Sequence, residues 1–300
     1  MRTLFAYLTI YLVWGSTYFA IKLCVQTIPP FWVVGLRFLL GGLFLIILII
    51  LKKRLKPFPT LKQFGSSMII GCLLLIGGNG LITIAQRKVD SYLAALIVAA
   101  CPMAVMMWDR FILRKKIRFV HIIGAVLGLT GVALLLYHGN LNFHVFSLEI
   151  GLMAAGVLLW ALGTTLSKKL TLPNDNLVNA AIQLFGVGIL VIVVLRPLIH
   201  IPAVASVGWS LTSILGLAYL TLFGSIALVA YAYLLKHEPN HRVVSYVFVN
   251  PPLAMFLGIL AGKEMAVPFL VPALFLLLGG LALIFYGEKL MGKWSELISK

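Results

Sequence analysis

Ten apolar stretches of membrane-spanning length, each bounded by charge or proline, run through this 300-residue chain. They fall at about 4–23, 31–51, 65–86, 91–109, 119–137, 147–167, 177–195, 210–234, 243–261 and 267–286. A crossing takes about 20 apolar residues, so ten of them consume about two thirds of the chain and leave loops too short for a folded soluble domain. Charged residues make up only 11% of the sequence, against about 25% in a typical soluble domain. The sequence therefore predicts an all-α integral membrane protein with ten transmembrane helices. The first stretch follows only Arg2, carries Trp14 and Tyr18 in its middle and lacks a clear small-residue cleavage site. It reads as a span and not as a cleaved leader. Cys24, Cys72 and Cys101 are odd in number, so they predict small core residues and no disulfide framework.

The formal charge of +16 would suggest a polyanionic partner in a soluble chain. Its distribution assigns it to the membrane surface. With ten spans, 18 of the 24 Lys and Arg residues fall on one side, in the two tails and in the loops around 52–62, 110–118, 168–169 and 236–242. The opposite loops hold Lys22, Arg87, Lys88, Arg196 and Lys263. Basic loops stay cytoplasmic, so both termini are expected in the cytoplasm, beside anionic lipid headgroups and with no nucleic-acid partner.

The chain also resembles itself. At an offset of 146 residues Trp14 falls on Trp160, Lys22 on Lys168, Arg37 on Gln183 and Gly42 on Gly188; at 149, Pro102 falls on Pro251 and Gly131 on Gly280. Five spans per half is an odd number, so the second half, 147–300, would be inverted relative to the first, 1–146. Two inverted halves that exchange conformations generate inward-open and outward-open states around a site near the midplane, which is a carrier mechanism.

Polar side chains at mid-depth need a protein or water partner, so a cluster of them argues for a cavity. The first span carries Trp14, Gly15, Ser16, Thr17 and Tyr18 near its centre, and the sixth carries Trp160, Gly163, Thr164, Thr165 and Ser167. Hydroxyl residues also serve close packing, but lipid-facing Trp prefers the interfaces, so Trp14 and Trp160 read as cavity walls. Asn79 lies well inside the third span, where it would hold either a solute or a neighbouring helix. Pro102, Pro251 and Pro252 remove backbone donors and predict bends in the fourth and ninth spans. Asn250 would face the opened backbone there, and Tyr219, Tyr231 and Tyr233 could add aromatic walls. Arg37 is the one charged residue inside its span. It either snorkels to the surface or contacts an anionic substrate.

All eight acidic residues lie at or beyond the ends of the spans, with Asp109 and Glu149 nearest to a span interior. Facilitated or weakly coupled transport is the plain reading. His237 and His241 have the spacing of helical metal ligands, but Pro239 interrupts the helix that would align them. No nucleophile–base pair, phosphate-cradling loop or zinc motif stands out, so neither an enzyme nor a cofactor or metal is expected. Gly124, Gly128 and Gly131 in the fifth span and Gly279 and Gly280 in the tenth predict close helix contacts. Within one chain these imply a monomer, and between chains a homodimer.

The segment VWGSTYFAIK, ending at Lys22 and followed by Arg37 and Phe38, resembles the start of EamA-family carriers of the drug/metabolite transporter superfamily. The likeness extends to the ten spans, the two halves, Pro102 and Pro251, and the glycine-rich fifth and tenth helices. The resemblance implies a bacterial inner-membrane exporter of amino acids or related metabolites with a central cavity. Carried over, that cavity involves Trp14, Ser16, Thr17, Tyr18, Asn79, Pro102, Trp160, Thr164, Tyr231 and Asn250. The sixth span departs from the pattern, with Ala161, Leu162 and Gly163 after its tryptophan, which puts strict symmetry in doubt. The expected solute is a small amphipathic metabolite. Drug or toxic-metabolite efflux is the alternative, followed by a membrane enzyme or lipid-handling protein.

Overall fold

A computed structural model of the protein describes residues 1–54, 57–89, 94, 97–135, 148–195, 208–260 and 269–298. Every regular element among them is helical. α1 (Arg2–Cys24) is followed by α2 (Pro30–Leu51), which starts on a proline whose missing N–H costs nothing in a first turn. α3 (Leu61–Gly71) opens on a capping box in which Thr60 and Gln63 bond reciprocally. It widens into a π-helical stretch, Cys72–Gly80, before α4 (Leu81–Ala85) completes the rod. Next come α5 (Cys101–Ile112), α6 (Phe119–Leu135) and α7 (Leu148–Leu166). α8 (Asn176–Ile189), capped by the Asp175 carboxylate, ends in a second π-helical stretch, Leu190–Leu195. α9 (Leu211–His237) is capped by Ser210. α10 (Asn240–Val243), a 3₁₀ turn (Val244–Phe248) and α11 (Asn250–Leu260) form a broken rod before α12 (Leu270–Ile298).

Among the described residues seven rods are long and apolar enough to cross a membrane: α1, α2, Leu61–Ala85, α7, Asn176–Leu195, α9 and Val271–Glu288. Leu40, Leu43, Ile47 and Ile50 leave one flank of α2 exposed and apolar, as a lipid-facing side requires. The expected fourth and ninth spans are interrupted, and the prolines explain where. The chain turns at Ala99–Ala100 and α5 begins at Cys101, so Pro102 sits in a first helical turn and not mid-helix. Pro251 likewise follows the break between the 3₁₀ turn and α11. The division expected at 146/147 lies outside the described residues, as do Asp90, His138, His144, Arg196, His200, Lys263 and Glu264.

Glycines set the closest approaches. α2 lies on α8 and α6 on α12. A Cβ on Gly280 would stand 2.6 Å from the Gly124 carbonyl oxygen and 2.7 Å from the Gly128 nitrogen, while one on Gly279 would meet open space. The remaining contacts are arranged crosswise: α1 packs on α9 and α11, and α7 packs on the π-helical stretch of the third rod and on α5. Polar networks tie both ends. At one end Thr27 Oγ1 donates to Ser213 Oγ (2.8 Å), whose hydroxyl donates to the Leu23 carbonyl (2.7 Å). At the Lys/Arg-rich end the buried Asp109 accepts from Thr165 and Asn240, each at 2.8 Å, and Lys115 lies 3.5 Å from its second oxygen. Lys168 donates to the Glu238 carbonyl there, and burial, reinforced by nearby Lys115, lowers its pKa.

Candidate functional site

A layer of rings from four rods occupies the centre of the bundle. The Trp14 ring meets Trp160 edge-on at 5.4 Å between centroids, Tyr231 at 4.9 Å and Tyr246 at 4.7 Å. Trp160 Nε1 donates to the Tyr231 hydroxyl (3.2 Å), which also pairs with Thr164 Oγ1 at 2.6 Å. Such ring pairs contribute about 0.5–1.5 kcal/mol each beyond their buried area, and the hydroxyl bonds fix their orientation. Gly78 makes the packing possible, since a Cβ there would stand 2.7 Å from Trp160 Cε3. That glycine lies in the π-helical stretch, a local widening that frequently marks functional positions.

Beside this layer lies a cavity of about 50 Å³ bordered by Trp14, Thr17, Tyr18, Arg37, Asn79, Trp160, Tyr246 and Asn250, with apolar walls from Ile21, Ile82, Val98, Cys101 and Val157. It has room for a few waters and no more. A second, wider space of about 240 Å³ opens at the Lys/Arg-rich end, among Ser167, Lys168, Asn174, Asn179, Gln183 and Lys236. Tyr231 borders this vestibule, and Trp160, which donates a hydrogen bond to it, borders the central cavity.

Seven of the eleven residues singled out from the sequence border the central cavity: Trp14, Thr17, Tyr18, Arg37, Asn79, Trp160 and Asn250. Thr164 and Tyr231 stand behind it in the ring layer. Two residues do not belong there. The Ser16 hydroxyl turns back to the Val13 carbonyl (2.8 Å) and pairs with Tyr219 at 2.5 Å, as a serine in a helix interior does when a neighbouring helix is close. Pro102 is buried at the start of α5 without reaching the cavity. Tyr246 was missed; its place one helical turn before Asn250 was the available signal. Tyr219 and Tyr233 pack elsewhere, on Phe223 and His237.

Arg37 does not snorkel. Its side chain is buried, its guanidinium lies 5.0 Å from the Phe38 ring centroid, and Nη1 donates to Asn79 Oδ1 at 3.1 Å. A charged side chain therefore borders the cavity. Asn250 is 2% exposed and lies beside the Tyr18 hydroxyl, and neither amide atom makes a well-aligned hydrogen bond to a described group. Among the described residues no group of three His, Cys, Asp or Glu side chains converges as a metal site. His237 and His241 part company: His237 stacks on Tyr233, and His241 stacks on His121 at 4.1 Å.

Residues 1–137 match the EamA-like transporter family. The Escherichia coli K12 protein YedA, described as an uncharacterized inner membrane transporter, is 33% identical over 261 residues, 86% of this chain and 82% of its own length. PagO of Salmonella typhimurium is 28% identical over 251 residues, covering 82% and 80% of the two chains. The Bacillus subtilis uncharacterized transporter YoaV is 25% identical over 262 residues, covering 86% and 88%. One solved structure superposes with a TM-score of 0.75 over 95% of this chain and 98% of the other at 21% identity, a likeness of fold alone.

Proposed function

Because the chain belongs to the EamA-like transporter family, and is thus a membrane transporter, we propose that it is a secondary carrier working by alternating access. In this reading it exports an amino acid or related amphipathic metabolite across a bacterial inner membrane, through ten spans in two inverted halves with both termini cytoplasmic. The observation that carries the reading is the central cavity, to which the matched tryptophans Trp14 and Trp160 each contribute a wall. Further support comes from the helix contacts. If the second half repeats the first, α2 matches α8, α6 matches α12, α1 matches α7, the third rod matches α9, and α5 matches the rod of α10 and α11. The pairs α2–α8 and α6–α12 then map onto themselves, and the contacts of α1 with α9 and α11 map onto those of α7 with the third rod and α5. That exchange is what a pseudo-two-fold axis between the halves produces, and an odd number of spans per half would lay the axis in the membrane plane.

Trp14, Thr17, Tyr18, Asn79, Trp160 and Asn250 are assigned here to substrate contact, and Thr164 and Tyr231 to the barrier between cavity and vestibule. A space of about 50 Å³ excludes a metabolite, so these rings must part for loading. Counterflow of labelled amino acids in reconstituted vesicles tests the function. Accumulation against a preloaded amino acid supports it, while flux confined to cationic drugs replaces it with drug efflux. No flux of either class removes the carrier reading.

A further inference from the structure

We propose that Arg37 and Asn250 form a two-point receptor for a carboxylate-bearing solute, with Arg37 binding the carboxylate and Asn250 a second polar group. The inference rests on the carrier reading and narrows its substrate class. Arg37 is 6% exposed, and among the described residues its one hydrogen bond goes to a neutral amide, Asn79. A guanidinium carries five donors in a planar fork, so most of its capacity is left over. Every described carboxylate side chain is engaged elsewhere. Asp109 is held by Thr165, Asn240 and Lys115, Glu149 by Lys88, and Asp175 by Arg54. Glu238 pairs with Arg242, and Glu288 with Arg118.

A charge without a carboxylate partner among the described residues is costly in so apolar a setting. The same surroundings make it a strong, selective binder of an anion, because the attraction is weakly screened and the fork fits a carboxylate bidentately. Asn250 supplies an independent sign of a ligand, since its buried amide borders the same cavity beside the Tyr18 hydroxyl, and neither polar atom makes a well-aligned hydrogen bond to a described group. Trp14, Trp160 and Tyr246 border the same cavity and would wall an apolar remainder. The favoured solute is a small carboxylate with an apolar substituent; amines and neutral molecules lack the group Arg37 requires.

Binding can be read apart from transport, through thermal stabilisation and tryptophan fluorescence of the purified full chain with 3-phenylpropionate, L-phenylalanine and L-phenylalaninamide. The first two should bind and the amide should not, and Arg37→Gln should weaken carboxylate binding by at least about tenfold, with Arg37→Lys recovering only part. Asn250→Asp, which places a resident carboxylate in the cavity, should abolish carboxylate binding even with Arg37 intact. This variant keeps the test alive if Arg37→Gln does not fold. Equal binding of the amide, silence from all three solutes, or full carboxylate binding by Asn250→Asp overturns the proposal. So does an Asp90→Asn variant that loses binding as Arg37→Gln does, because Asp90 would then be part of the site's charge balance. Vesicle flux without carboxylate preference overturns the inference and leaves the carrier; Arg37-dependent binding without any flux does the reverse.

Discussion

Trp14 meets all three other rings of the central layer, and its removal has two separable effects. Trp14→Ala empties a buried site and costs about 3–5 kcal/mol by the usual cavity arithmetic, so lost transport would be confounded with lost folding. Trp14→Phe keeps an edge for Trp160 and Tyr246 while withdrawing half of the bicyclic wall. It should stay folded, with a melting temperature within a few degrees of the parent, and lose about tenfold in counterflow rate; unchanged flux would remove Trp14 from the substrate path. The two tryptophans were legible as walls because a bulky amphipathic ring at mid-depth has no reason to face lipid. Ser16 was not, since a helical hydroxyl satisfies itself on its own backbone wherever it points. Arg37 was half legible. Its depth could be read from the sequence, but its burial depends on Asn79 and Gly224 converging from other helices.

At the scale of elements, glycine spacing and proline position announced the contacts and breaks, while the exact face of each helix had to come from packing. Gly279 and Gly280 are adjacent and indistinguishable in sequence, yet only Gly280 faces the backbone of α6. Gly280→Ala therefore pushes a methyl group against atoms that cannot swing aside and should destabilise by about 1–3 kcal/mol. Gly279→Ala should be neutral or stabilising by up to about 1 kcal/mol through helix propensity. Thermal unfolding in detergent measures both, and equal effects would mean that α6 and α12 do not meet along this seam. A second element-scale junction is the His121–His241 stack, which joins α6 to α10. Burial, followed by the neighbouring His121, pushes the His241 pKa down to about 3 from an ordinary 6.5. The unfolded chain thus takes up a proton that the folded chain refuses. The stability this provides is full above pH 6.5 and drains away as pH falls toward 3. Acidification from pH 7 to 5 should lower the melting temperature, and His241→Phe, which keeps a stacked ring without a titrating group, should flatten that dependence.

For the whole molecule, hydropathy and charge constrain orientation in a way that no isolated contact does. The side bearing most of the Lys and Arg residues also carries the Asp109 network and the wider vestibule. An inverted repeat makes a sharper demand: positions matched by the 146-residue offset must lie on opposite faces of the membrane. Arg2 and Leu148 are such a pair, both exposed, with Leu148 at 75%. Lys169, exposed near the end of α7, should return to the side of Arg2. Cys24 and Cys101 are buried and Cys72 is partly buried, so replacing all three by Ala gives a quiet background for single cysteines. An impermeant maleimide should reach Arg2→Cys and Lys169→Cys only from the cytoplasmic face and Leu148→Cys only from outside. Labelling of Arg2→Cys and Leu148→Cys from the same side would leave two parallel halves, whose exchange of conformations could not alternate access. The family would stand, and the mechanism drawn from its symmetry would not.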